Sequence, residues 1–173
     1  MRRLLLLLRH AKADRPPGVP DLDRPLDARG RAAAPRMGAY LAAEGLQPDL
    51  ALISPSQRTR ETWEAAAEAL GGVPTQIVPA IYEAAPEALL DAVRAAPAEA
   101  GTLILVGHNP GIEALADSLV ASGPREARNR LAGGFPTAAL AVITFAGEDW
   151  SAVGRTGRLE RFVRPKDLGA GAD

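Results

Sequence analysis

The sequence contains no cysteine, which removes disulfides, thiolate metal centres and a cysteine nucleophile together. It also lacks a dominant sign of charge. With a formal net charge of −1, nothing draws the whole chain toward nucleic acid or an anionic membrane, so any anion site has to be built locally. Long apolar runs are missing as well. Leu4 to Leu8 ends at Arg9, short of the roughly 7–15 residues of a signal-peptide core and of the about 20 needed to span a bilayer. Export and membrane insertion are therefore not expected, and the absence of thiols fits a reducing, cytoplasmic setting. Neither G-x-x-x-x-G-K-[ST] nor G-x-G-x-x-G occurs, so a P-loop and a dinucleotide fingerprint are excluded.

What is present is enough for one core. With 173 residues, 47% of them hydrophobic, and no internal repeat or linker, one domain over residues 1–168 is expected, followed by a short flexible tail at 169–173. The five leucines show no helical period and read as a strand buried on both faces of a parallel sheet. A proline-rich polar stretch from Asp14 to Pro25 reads as a functional loop. Asp27 caps a helix that Pro35 should break or kink and Gly45 should end. Leu50–Ser54 reads as a strand, and Ser56 caps a helix over Gln57–Leu70. Gln76–Val78 is a third strand, and Pro86 opens a helix that stops before Pro97. Thr102–Gly107 is again continuously apolar, after which Asn109 should cap a helix with Pro110 in its first position. Ala139–Phe145 and Leu159–Val163 complete the set. Strands alternating with helices imply an α/β fold: a single-domain, three-layer α/β/α sandwich around a mostly parallel sheet.

Three of these strands run straight into polar clusters. Leu8 leads into Arg9-His10, Ile53 into Ser54-Pro55-Ser56-Gln57-Arg58, and Val106 into Gly107-His108-Asn109-Pro110-Gly111. In open α/β sheets the ligand crevice lies beyond the carboxyl ends of the strands. Two of the clusters also open helices, whose free N–H groups and positive dipole ends favour an anion. Arg58 falls in the first turn of its helix, where a cation is unfavourable unless an anion is near. The chain has two histidines, and both lie at such strand ends. Taken singly, each feature has an ordinary explanation: a hydrogen-bonded structural histidine, an arginine on a solvated helix face, a turn glycine. Together they point to one anion-binding site. His10 and His108 could share a metal, but no clear third ligand accompanies them.

Arg9-His10-Ala11, Ser54-Pro55-Ser56-Gln57-Arg58-Thr59-Arg60-Glu61-Thr62, Ile81-Tyr82-Glu83 and Gly107-His108-Asn109-Pro110-Gly111 together resemble the histidine phosphatase superfamily, with its phosphoglycerate mutase-like fold. The similarity is greatest to its short, SixA-type phosphohistidine phosphatases. It extends to Asp23-Arg24-Pro25-Leu26 and Phe135-Pro136-Thr137. Ala11 stands where glycine is commonest in the first motif. The resemblance implies that His10 is the nucleophile, that Arg9, Arg58, His108 and Asn109 bind the phosphoryl group, and that neither metal nor cofactor is required. A metal-independent phosphatase working through phosphohistidine on His10 is the expected activity, with phosphoprotein or small phosphomonoesters as substrate. A phosphate-binding module without catalysis is the alternative.

Phosphoryl chemistry asks for the same residues. The transferred group spreads charge over three oxygens, which two guanidinium forks and an imidazole can bind. Their field favours a neutral, nucleophilic His10. An alkoxide leaving group needs a proton, for which Glu83 is the first candidate and Asp14 and Asp23 are weaker ones. The short connection between Leu70 and Thr102 leaves little material for a cap, so an open site is expected.

Overall fold

The computed structural model describes residues 2–169. Seven strands form one sheet in the order β3-β2-β4-β1-β6-β7-β5: β1 (Arg2–Arg9), β2 (Leu50–Ile53), β3 (Thr75–Ile77), β4 (Thr102–Gly107), β5 (Val120–Ser122), β6 (Leu140–Ala146) and β7 (Gly157–Val163). Five helices accompany them: α1 (Ala28–Ala43), α2 (Gln57–Ala67), α3 (Pro86–Arg94), α4 (Gly111–Leu119) and α5 (Arg125–Ala132). Pairings along β3-β2-β4-β1 are parallel, β6 is antiparallel to both β1 and β7, and β5 returns parallel to β7.

Side chains alternate across a strand, so the leucine run divides between two cores. Leu5 and Leu7 pack with Leu89, Val93, Ile112, Leu115 and Leu131 of α3, α4 and α5. Leu6 and Leu8 pack with Met37, Leu41, Trp63 and Ala66 of α1 and α2. Helices on both faces explain why β1 and β4 read as unbroken apolar runs. The molecule is the expected three-layer sandwich.

Strand ends shift by one or two residues from those expected, and larger differences lie in the helices and at β5. Pro35 lies inside α1 without ending it; the helix continues because Met37 and Leu41 beyond the proline are fully buried against the sheet. α4 begins at Gly111, one residue later than expected, with Pro110 at the cap position. Asn109 still serves the helix, because its Oδ1 accepts from the Glu113 N–H at 3.3 Å. The helix after Ser56 closes as a tighter turn over Glu68–Leu70 before Gly71 at φ 68°. Finally, β5 and α5 are additions to the expected set. Of the tail expected at 169–173, all but Gly169 lies outside the described residues.

Tight contacts hold the helices in place for the site. A Cβ on Gly38 of α1 would stand 2.1 Å from the carbonyl oxygen of Ala66 in α2, and one on Gly111 would stand 2.1 Å from that of Ala84. Only glycine permits these approaches.

Candidate active site

Sheet register brings the two histidines together. In the parallel pair of β1 and β4, Arg9 lies opposite Gly107, so the next residue of each strand is a histidine. The pairing continues one step, with the His10 N–H donating to the Gly107 carbonyl at 3.1 Å. The two imidazole centroids are 5.4 Å apart. On the other side of β4, Ile53 lies opposite Val106, and the Ser54 N–H donates to the Val106 carbonyl at 3.2 Å. Ser56 then caps α2, accepting from the Thr59 N–H at 3.3 Å. That turn directs Arg58 inward, where it is only 2% exposed.

The pocket so formed has a volume of about 340 Å³ and is lined by Arg9, His10, Arg58, Glu83, His108 and Asn109, together with Asp21, Arg24 and Thr137. His10 Nδ1 is held 2.8 Å from the Ala11 carbonyl oxygen. A carbonyl can only accept, so this contact places the proton on Nδ1 and leaves the lone pair on Nε2. The Ala11 N–H is itself fixed, donating to Thr62 Oγ1 at 2.9 Å. Burial is the first reason that the His10 pKa is pushed down to about 4, and the guanidinium groups of Arg58 and Arg9 push in the same direction. His108 is pushed down to about 3, again first by burial, then by His10 and Arg58. Both rings are therefore neutral near pH 7.

His108 Nε2 lies 2.7 Å from Ser54 Oγ, while Nδ1 lies 3.3 Å from Arg58 Nη2. A guanidinium can only donate, so in the free protein Nδ1 accepts from Arg58 and the Nε2–H donates to the Ser54 hydroxyl, which could equally donate to Nε2 in the other tautomer. Arg9 donates through Nη1 to the Phe135 carbonyl at 2.9 Å, and burial lowers its pKa. The buried Nε atoms of Arg9 and Arg58 have no protein acceptor. An unmatched buried donor is costly, and both lie in side chains that line this pocket.

Two carboxylates hold Arg58. Its Nη2 donates to Asp21 Oδ2 at 3.0 Å and to Glu83 Oε1 at 2.9 Å, and its Nη1 donates to the Asp21 carbonyl at 2.7 Å. Asp21 also accepts from the Tyr82 hydroxyl. That bond, then those from Arg24 and Arg58, holds the Asp21 carboxyl well below the usual carboxylate range. Glu83 occupies the left-handed region at φ 50°, a strained conformation for a residue with a side chain and one that gathers at functional sites.

The structure thus gathers Arg9, His10, Arg58, Glu83, His108 and Asn109 around one pocket, but Asn109 faces its walls. Its Nδ2 donates to Glu113 Oε1 at 3.2 Å and to the Phe135 carbonyl at 3.1 Å, which engages both amide hydrogens. Asp14 and Asp23 do not line the pocket; Asp14 Oδ1 accepts from the adjacent Arg15 N–H at 2.8 Å. Asp21 from the same loop lines the pocket instead, holding Arg58 and not placed as a proton donor. Sequence reasoning missed it because the Asp21-Leu22-Asp23 turn has no periodic pattern, although the unusual length of its loop marked the region. Among the described residues, no three His, Asp or Glu side chains are grouped so as to hold a metal ion.

Paired imidazoles and guanidiniums stand together at the carboxyl ends of a layered α/β sheet, a donor set able to bind a phosphoryl group. A model of the histidine phosphatase superfamily (branch 1) matches residues 5–89. A solved structure from Agrobacterium tumefaciens, assigned as a phosphohistidine phosphatase SixA, is 33% identical with a TM-score of 0.80, covering 94% of this chain and 98% of that one. Another so assigned, from Nakamurella, is 29% identical with a TM-score of 0.82, covering 95% and 97%. An uncharacterised protein of Mycobacterium tuberculosis is 34% identical over 148 residues, 84% of this chain and 91% of that one. The chain belongs to the histidine phosphatase superfamily and is similar to its SixA-type members, which makes it a histidine-type phosphatase.

Proposed function

We propose that this phosphatase works through a covalent phosphohistidine on His10, without a metal, and accepts phosphoprotein or exposed small phosphomonoesters. The observation that carries the reading is the Nδ1 contact of His10 with the Ala11 carbonyl at 2.8 Å, which reserves Nε2 for attack. In the first step Nε2 bonds to phosphorus and the bond from phosphorus to the leaving oxygen or nitrogen breaks in line. The three equatorial oxygens take donors from Arg9, Arg58 and His108, the last through Nδ1–H in the tautomer in which Nε2 accepts a hydrogen bond from the Ser54 hydroxyl. The side chains are positioned at the pocket beforehand, which is where such stabilisation is strongest.

Arg58 is bonded to Asp21 and Glu83 in the free protein. An arriving phosphoryl group competes with both carboxylates for its donors, which frees Glu83 to face the leaving group. Glu83 in its protonated form then gives that proton to an alkoxide. Its side chain is half exposed, so it can exchange protons with solvent between turnovers. Water then attacks the phosphohistidine, releasing phosphate and regenerating His10. Phosphohistidine as substrate leaves as imidazole, with a pKa of about 6.5, and depends less on the acid. The similarity to proteins assigned as phosphohistidine phosphatases supports that substrate class.

Turnover of para-nitrophenyl phosphate and of a phosphohistidine protein in EDTA tests this reading. His10→Ala should abolish turnover of both and still bind inorganic phosphate. Full activity in His10→Ala would refute the nucleophile, and loss of wild-type activity in EDTA would refute metal independence.

A further inference from the structure

A second concavity adjoins the pocket. It has a volume of about 1160 Å³, and Arg9, Asn109 and Thr137 line both. Its walls are rich in cations from separate elements: Arg29 in α1, Arg125 and Arg130 in α5, and Arg164 and Lys166 after β7. Some are balanced. Arg130 pairs with Glu126 at 2.6 Å and Arg164 with Asp167 at 2.8 Å, and Glu113 Oε1 accepts from the Phe135 N–H at 3.1 Å. Arg29, Arg125 and Lys166 are exposed and form no ion pair among the described residues. Three uncompensated positive charges therefore face one cleft in a chain whose net charge is −1.

Their placement runs against helix stability. Arg29 is the second residue of α1 and Arg125 the first of α5, where the helix dipole disfavours cations. Arg58 breaks the same rule in α2, and there the pocket explains it. Positive side chains at two further helix starts, opening on the adjoining cleft, fit an anion there too. The shape favours an extended one. The cleft exceeds the roughly 300–1,000 Å³ of small-molecule sites, and its unpaired cations come from three elements. Phe135 is the one aromatic lining residue and is 2% exposed, so the stacking platform that single-stranded nucleic acid uses is missing.

We propose that this cleft docks an acidic polypeptide segment flanking the phosphorylated residue, so that the preferred substrate is a phosphoprotein with Asp/Glu-rich chain beside its phosphoryl group. The proposal rests on the phosphatase reading above for the pocket and adds the substrate class.

The test uses the full chain and the triple variant Arg29→Glu/Arg125→Glu/Lys166→Glu. Substrates are two phosphopeptides of equal length, one with an acidic and one with a neutral flank, para-nitrophenyl phosphate, and a small bis-phosphate. The wild-type protein should favour the acidic peptide in kcat/KM by about tenfold or more at low salt, and the preference should vanish in about 0.5 M salt. The triple variant should lose that preference and keep its rate on para-nitrophenyl phosphate. Fluorescence anisotropy of the unphosphorylated acidic peptide reads the cleft separately from catalysis. Salt-sensitive binding that the variant lacks supports the proposal even if turnover fails, a failure that would count against the pocket reading alone. Equal rates on both peptides would overturn the docking site. So would a variant defect confined to the bis-phosphate, or tighter competitive binding by a single-stranded oligonucleotide.

Discussion

The pocket and the cleft share a wall yet treat their cations in opposite ways. In the pocket, Arg58 is 2% exposed and held by two carboxylates and a carbonyl. In the cleft, Arg29, Arg125 and Lys166 stand in solvent, without ion-pair partners among the described residues. Chemistry at phosphorus gains from donors fixed before the substrate arrives. Docking of a partner gains from charges that steer encounter and adjust to it. The difference teaches which arginines belong to rate and which to recognition.

Changes to the groups that hold the phosphoryl oxygens should therefore affect every substrate alike in kcat, whereas a change to the proton donor should depend on the leaving group. Arg58→Lys keeps the charge and loses the planar fork; kcat on para-nitrophenyl phosphate should fall about 10²–10³-fold. A fall smaller than about threefold would remove Arg58 from the transition state. Glu83→Gln should slow an alkyl phosphoester by about 10²-fold and phosphohistidine protein much less. Equal slowing of both would end its role as acid. Asp21→Asn weakens the clamp on Arg58 without touching the nucleophile. A drop in kcat of about tenfold is expected, since misplaced groups lose rate steeply, with binding of the acidic peptide in the cleft unchanged. A loss of that binding instead would blur the division between the two regions.

The smallest effect concerns pH. In the unfolded chain the histidines take up protons below pH about 6.5, whereas folded His10 and His108 remain neutral down to about 4 and about 3. The unfolded state then binds more protons across that window, so stability falls as pH drops from about 6.5 toward about 4. Urea midpoints at pH 7 and pH 5 should show the decline, and His10→Ala should reduce it. NMR titration reads the same groups directly, and inorganic phosphate should raise both pKa values by placing negative charge beside the rings. A histidine titrating near 6.5 in the free protein would contradict the buried, neutral pair.

Much of this molecule was legible in the sequence, for identifiable reasons. Alternate burial of Leu5 and Leu7 against Leu6 and Leu8 follows from a strand covered on both faces. The ends of β1, β2 and β4 announced the site because polar clusters there had no structural need to follow apolar strands. Arg58 stood out as a cation in a first turn. By contrast, α5 buries only Ala127 and Leu131, too few to make a helical stripe, and β5 has three residues with none buried. Asp21 owes its role to Arg58 and Tyr82, which lie 37 and 61 positions away along the chain. No local pattern encodes such a contact.

The most direct measurement is to quench the enzyme during turnover of a phosphorus-labelled substrate and map the modified residue. Label on a ring nitrogen of His10, absent in His10→Ala, is the result expected. Label on another residue, or undiminished turnover with no phosphoenzyme formed in single-turnover kinetics, would contradict covalent transfer through His10.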